Sequence, residues 1–142
     1  MASPKRKNTC VNPKNFKMDL QKINTEPYKD RKDILEKTIE QIRKDFSTFG
    51  LSVNFSGNYA LVYEELFGQL HKHILNLLET HVEKLHALLY HIDVDEKKIH
   101  LEEQKHPGWT YSEIVTELTL YRELKKVVIR EYIKENPDWI HQ

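Results

Sequence analysis

Between positions 59 and 92 the chain carries a single apolar stripe at helical spacing, with no proline to interrupt it. Tyr59, Tyr63, Leu66, Leu70, Ile74, Leu77, Val82, Leu85, Leu89 and Ile92 follow one another by three, four or five residues, a period that lines one face of a helix. At 1.5 Å per residue such a helix would run for about 50 Å. An apolar face of that length needs cover along all of it, so the spacing predicts an all-α fold.

The remaining segments fit that frame. Ile34, Leu35, Ile39, Ile42, Phe46 and Phe49 form the apolar face of a first helix. Its start is expected near Pro27 or Asp30, and Gly50 supplies a left-handed C-terminal cap. Residues 51–55 alternate apolar and polar, but no second strand exists to pair with them, so they read as an extended connector whose apolar side chains tuck under the helices. Ser56 or Asn58 caps the long helix, and its internal Gly68 implies a close neighbour or a mild bend. Asp93 ends the stripe, and Asp93 or Asp95 caps a short helix over residues 96–104. Thr110 and Glu113 form a capping box that opens a last helix of about 25 residues. Its apolar positions, from Ile114 to Ile133, cover a wide arc, as on a helix packed on two sides or at an oligomer interface. Asn136-Pro137 stops it, and Trp139 and Ile140 are expected to fold back onto the core. The predicted architecture is an antiparallel helical bundle of three long helices and one short one, residues 26–142, behind a disordered basic tail, residues 1–25.

Charge is unevenly distributed. Residues 1–32 hold nine basic and three acidic side chains and the rest of the chain the opposite excess, so net charge is zero although the two parts differ in sign. A basic tail can bind nucleic acid or anionic lipid, fold back onto its own acidic domain, or simply keep the protein soluble. Pro4-Lys5-Arg6-Lys7 is too short a match to a nuclear localisation signal to carry weight. No apolar run reaches the roughly 18 residues of a membrane helix, and no secretory leader follows the basic start. Cys10 is the sole cysteine, which excludes an intramolecular disulfide and favours a reducing, cytoplasmic setting.

Histidine supplies the candidate sites. His71, His73, His81, His86 and His91 lie in one stretch, and Glu83–His86 and Glu103–His106 have the Glu-x-x-His spacing of di-iron bundles. Glu83 falls nearly opposite the stripe, however, and His106 adjoins a helix-ending proline, so neither pair faces a core and no metal or cofactor is expected. His81 falls close to the centre of the stripe with His71 on its flank. Glu117, Tyr121 and Lys125 follow at i,i+4 on the last helix. Buried polar groups need partners, so these five residues are candidates for a ligand pocket or pH switch. The plainer alternative is that Lys125 snorkels to the rim and His81 bonds a tyrosine hydroxyl. The tyrosines and Trp109 occur mostly at core spacing, and no phosphate-binding loop or Ser/His/Asp or Cys/His set is recognisable.

Leu88-Leu89-Tyr90-His91-Ile92-Asp93-Val94, with the later Tyr121-Arg122-Glu123-Leu124-Lys125-Lys126-Val127, resembles a pattern in short helical bacterial proteins. The resemblance spans roughly residues 34–130 and implies no activity. Together these observations lead to the expectation of a small non-enzymatic protein-interaction domain, either an adaptor or a homodimer formed through the 111–135 helix. The alternative is a ligand- or metal-binding bundle using His71 and His81.

Overall fold

A computed structural model describes residues 24–138, and every regular element among them is helical. The helices are α1 (Lys32–Ser47), α2 (Val62–Thr80), α3 (Val82–Ile92), α4 (Glu96–Lys105) and α5 (Tyr111–Glu135), with a 3-10 turn at Tyr59–Leu61 leading into α2. Residues 1–23 of the expected tail and the fold-back of Trp139 and Ile140 lie outside the described residues, whereas Thr25, expected in the disordered tail, is buried.

α5 is the central element. Its residues Ile114, Val115, Leu120, Leu124, Val127 and Val128 are all buried, because α1, α2, α3 and α4 pack around it. Most of the wide apolar arc is therefore covered by the chain itself, although Tyr121 is exposed and Leu118, Ile129, Tyr132 and Ile133 are half-buried. α1 runs antiparallel to α5, and polar contacts mark the register: Arg31 to Glu135, Lys37 to Glu131, Gln41 to Arg130 and Asp45 to Lys126.

The single helix expected over residues 59–92 is two helices. His81, at φ −147° and ψ 68°, is the last cap of α2 and the first of α3. The physical reason lies in what position 81 would have to bury. Position 81 lies four residues from both Leu77 and Leu85, on the core line itself, and a straight helix would bury its imidazole there. A helix of about 50 Å would also overhang α5, whose 25 residues span roughly 37 Å. At the break His81 turns to solvent and bonds the Thr80 hydroxyl at 2.9 Å, while Val82, expected in the core, becomes exposed. Little hydrogen bonding is lost, because the His81 N–H still reaches the Leu77 carbonyl and its own carbonyl accepts from Lys84 and Leu85.

Local signals fix the other ends. Gly50 has φ +76° and closes α1, with the Leu51 N–H on the Phe46 carbonyl and the Gly50 N–H on Ser47, the paired bonds of a Schellman cap. Asp93 makes the same cap on α3 at φ +75°, a strained conformation for a non-glycine residue, and Arg122 of α5 holds its carboxylate at 3.0 Å. Asp95 caps α4, and Thr110 and Glu113 complete both bonds of the capping box. α1 starts at Lys32, later than expected, behind a turn in which Tyr28 and Lys29 donate to the Thr25 carbonyl. The connector before α2 pairs with no strand. Gln69 bonds both backbone groups of Asn54, Arg43 donates to Val53, and His73 bonds the Ser52 carbonyl.

Gly68 has no close neighbour: a Cβ built there meets nothing within 4 Å. The expected close approach is absent, and the residue only weakens α2. Gly68→Ala is therefore expected to raise stability by about 1 kcal/mol, the helix-propensity difference. Urea unfolding checks this, and an unchanged or lower midpoint would contradict the open surroundings of the site.

Candidate functional site

The residues singled out from sequence do not meet. His71 Nε2 lies 2.9 Å from the Ser112 hydroxyl and its ring stacks on Phe67. His81 is at the helix break, ten residues and roughly 15 Å along α2 from His71, and it is exposed rather than buried. Glu117 is exposed on α5. Only Tyr121 and Lys125 come together: Lys125 is buried, and its Nζ lies 3.5 Å from the Tyr121 hydroxyl and 5.6 Å from its ring centre. Burial, with Lys98 and Arg122 nearby, lowers the Lys125 pKa. Glu83 and His86 are both exposed, and His106 pairs with Glu102 and stacks on Trp109 instead of meeting Glu103. Among the described residues no group of three or more His, Cys, Asp or Glu is arranged to hold a metal ion.

A different polar set lies inside the fold. Ser112, Thr116, Thr119 and Glu123 are all buried on α5, and Lys126 and Arg130 continue the same line. Their spacing of four, three, four, three and four makes a seam along one face of the helix. Thr116 returns its hydroxyl to the Ser112 carbonyl at 2.7 Å, and Ser112 meets His71. At the centre of the seam Glu123 faces Asp45 of α1, and the two side chains are 0% and 4% exposed. Lys126 Nζ lies 3.0 Å from both Asp45 Oδ2 and Glu123 Oε1. Gln41 donates to Asp45 Oδ2 at 3.1 Å, and His91 Nε2 of α3 is 3.3 Å from Asp45 Oδ1. Neither Glu123 oxygen nor the Thr119 hydroxyl has a well-aligned hydrogen-bond partner among the described residues.

Two buried carboxyls cannot both carry charge cheaply. Burial, with Asp45 alongside, pushes Glu123 up to about 8 against the pull of Lys126. Burial also disfavours charge on Asp45, but its bonds with Glu123, Lys126 and Gln41 outweigh that and hold it below the ordinary value. At neutral pH the site is thus an ionised Asp45 paired with Lys126 and a protonated Glu123. Perturbed carboxyls often mark active sites, yet these are enclosed by three helices, and two surface grooves beside α4 are lined by other residues.

Those grooves flank α4. One, of about 630 Å³, is lined by Glu96, Lys97, His100, Leu101, Glu103 and Tyr111 over Ile99. The other, of about 410 Å³, lies between α3 and α4, with Leu89, Val94 and Ile99 at its base and Tyr90, Asp93 and Asp95 at its edge. They adjoin at Glu96, Ile99 and Tyr111 and make one furrow. Tyr90 is 88% exposed and Leu101 54%, so each groove carries one large exposed apolar side chain. Nothing in the spacing separated these residues from core positions, since Tyr90 adjoins the stripe and only packing shows which neighbours are covered.

No protein-family model matches the chain, no curated protein matches it, and no solved structure matches it. No helix among the described residues is long and apolar enough to cross a membrane.

The carboxyl pair makes stability depend on pH with a defined sign. Folded Glu123 keeps its proton to about pH 8, whereas the unfolded side chain releases it near 4.5. Its stabilisation is fully present below 4.5 and is lost by up to about 1.4 kcal/mol per pH unit as pH rises towards 8. Glu123→Gln imitates the protonated acid, so urea unfolding of this variant between pH 5 and 8 is expected to lack that component and to exceed wild type at pH 8. Glu123→Ala is expected to cost about 2–3 kcal/mol at pH 5 through lost packing and an altered Asp45 environment. Parallel pH profiles for wild type and Glu123→Gln would refute the assignment.

Proposed function

We propose that this chain is a small cytoplasmic helical interaction protein, of the bacterial kind its 88–94 and 121–127 segments resemble, and that the furrow along α4 is its contact surface. The observation that supports the reading is the exposure of Tyr90 and Leu101, one on each of two adjoining grooves lined by Leu89, Val94, Ile99 and Tyr111. Large aromatic and aliphatic side chains at a concave, partly charged surface are the usual anchors of a protein contact. The furrow suits a short apolar segment carrying basic residues, since Asp93, Asp95, Glu96 and Glu103 line it against the single Lys97.

The alternatives have less support. Most of the apolar arc that suggested a homodimer through α5 is occupied by the molecule's own helices, which leaves it less surface for a second copy. A pocket built on His71 and His81 would need two residues that lie far apart to converge. A catalytic reading would need the Asp45–Glu123 pair to meet a substrate, and helices enclose it.

Tyr90→Ser with Leu101→Ser tests the proposal. Both side chains are exposed, so the melting temperature is expected to stay within about 3 °C of wild type. A protein captured stoichiometrically by wild type from its native lysate, then purified, is expected to bind the double variant at least tenfold more weakly in calorimetry. Equal affinity for the two forms would exclude the furrow as the contact surface.

A further inference from the structure

We propose that residues 1–23, the basic N-terminal stretch of this same chain, dock in the furrow along α4. The proposal rests on the furrow being a binding surface and names its resident occupant.

The path of the chain supports it. Thr25, near the beginning of the described residues, is buried with its side chain against the Tyr121 hydroxyl of α5. The next residue of α5, Arg122, bonds Asp93 at the furrow edge at 3.0 Å. Lys125, one turn further on, lies within electrostatic range of Lys98 of α4, on the flank of α4 away from the furrow lining. The described residues therefore begin one α5 position away from Arg122, which holds the furrow edge. Eight extended residues reach about 26 Å, whereas the ten residues of α4 span about 15 Å, so residues 16–23 alone are long enough to follow the furrow.

Charge and shape agree with the path. Residues 1–23 hold six basic side chains, Lys5, Arg6, Lys7, Lys14, Lys17 and Lys22, against the single acid Asp19. The furrow presents four acidic side chains against one lysine. Attraction at short range between unlike surfaces, together with a tether that keeps the effective concentration high, favours the intramolecular contact over a dilute competitor. Phe16, Met18 and Leu20 alternate with Lys17 and Asp19. An extended segment of that pattern offers three apolar side chains to the Leu89, Val94 and Ile99 floor and turns its charges to the rim.

The chain carries its own probe site, because Cys10 is the only cysteine. A nitroxide placed on Cys10 of the full-length protein broadens amide signals within about 20 Å. The expected result is at least a twofold intensity loss centred on residues 89–103 and Tyr111, reduced in 0.5 M salt and in Glu96→Gln/Glu103→Gln. Broadening confined to residues near Thr25, or centred on another face, overturns the proposal, as does broadening unaffected by both salt and the double variant. A mixture of nitroxide-bearing unlabelled chains with nitrogen-15 chains lacking the nitroxide separates docking within a chain from docking between copies. Equal broadening in that mixture also overturns it. Loss of partner affinity in Tyr90→Ser/Leu101→Ser without any furrow broadening would reject this proposal and leave the interaction surface standing.

Discussion

Burying Glu123 in the middle of α5 is the constraint around which the other helices are arranged. α5 is covered by four helices, so its polar seam cannot turn to water and must find partners inside. Asp45 and Lys126 surround Glu123 at the centre, Ser112 meets His71 towards the start of the helix, and exposed Arg130 meets Gln41 towards its end. Satisfying the seam in this way requires α1 to run antiparallel to α5 in one register. The outer pairs of that register, such as Arg31 with Glu135, are solvent-exposed and contribute little energy each. The buried centre differs, because a one-residue slip of α1 would replace Asp45 opposite Glu123 and Lys126 by an apolar or uncompensated side chain. The cost of a mismatch, more than the gain from a match, selects the register.

The break at His81 follows from the same intolerance of an unpartnered polar group. With an apolar residue at position 81 the stripe could continue as one rod. With histidine there, turning the side chain out is cheaper than burying it, and α3 is free to fold back over α1 and α5. That return brings His91 to Asp45 and Phe49, and carries Asp93 to Arg122. The Asp93 turn then launches α4 across the flank of α5. The furrow is thus a consequence of the break: a continuous helix would carry residues 82–92 away from α5 and leave no concave surface beside α4.

The histidines are numerous but do not converge on one site. Of the five histidines between positions 71 and 91, His71 and His73 brace neighbouring hydroxyl or carbonyl groups, His81 marks the break, His86 lines the furrow and His91 edges the carboxyl pair. They are dispersed over two helices and several faces. The carboxyl pair, by contrast, joins residues 78 positions apart in the chain, neither unusual in its own helix, and acquires its altered proton affinity only when α1 and α5 are packed together.

What the amino-acid order determined by itself is local. Helix-period apolar residues, the Thr110–Glu113 box, the Asp95 cap and the left-handed turn at Gly50 depend on interactions within a few residues, so the all-helical character and most helix ends were readable before any packing was known. The 112–116–119–123 line of α5 was equally present, but it was hidden among apolar neighbours that also belong to the core. Tertiary structure decided the rest: where the long stripe breaks, which face of α5 receives which partner, that Lys125 is buried while Glu117 is not, and that Tyr90 and Leu101 stand open beside a furrow. Burial and proton affinity depend on what surrounds a side chain from distant parts of the chain, and spacing along one helix carries no information about those surroundings.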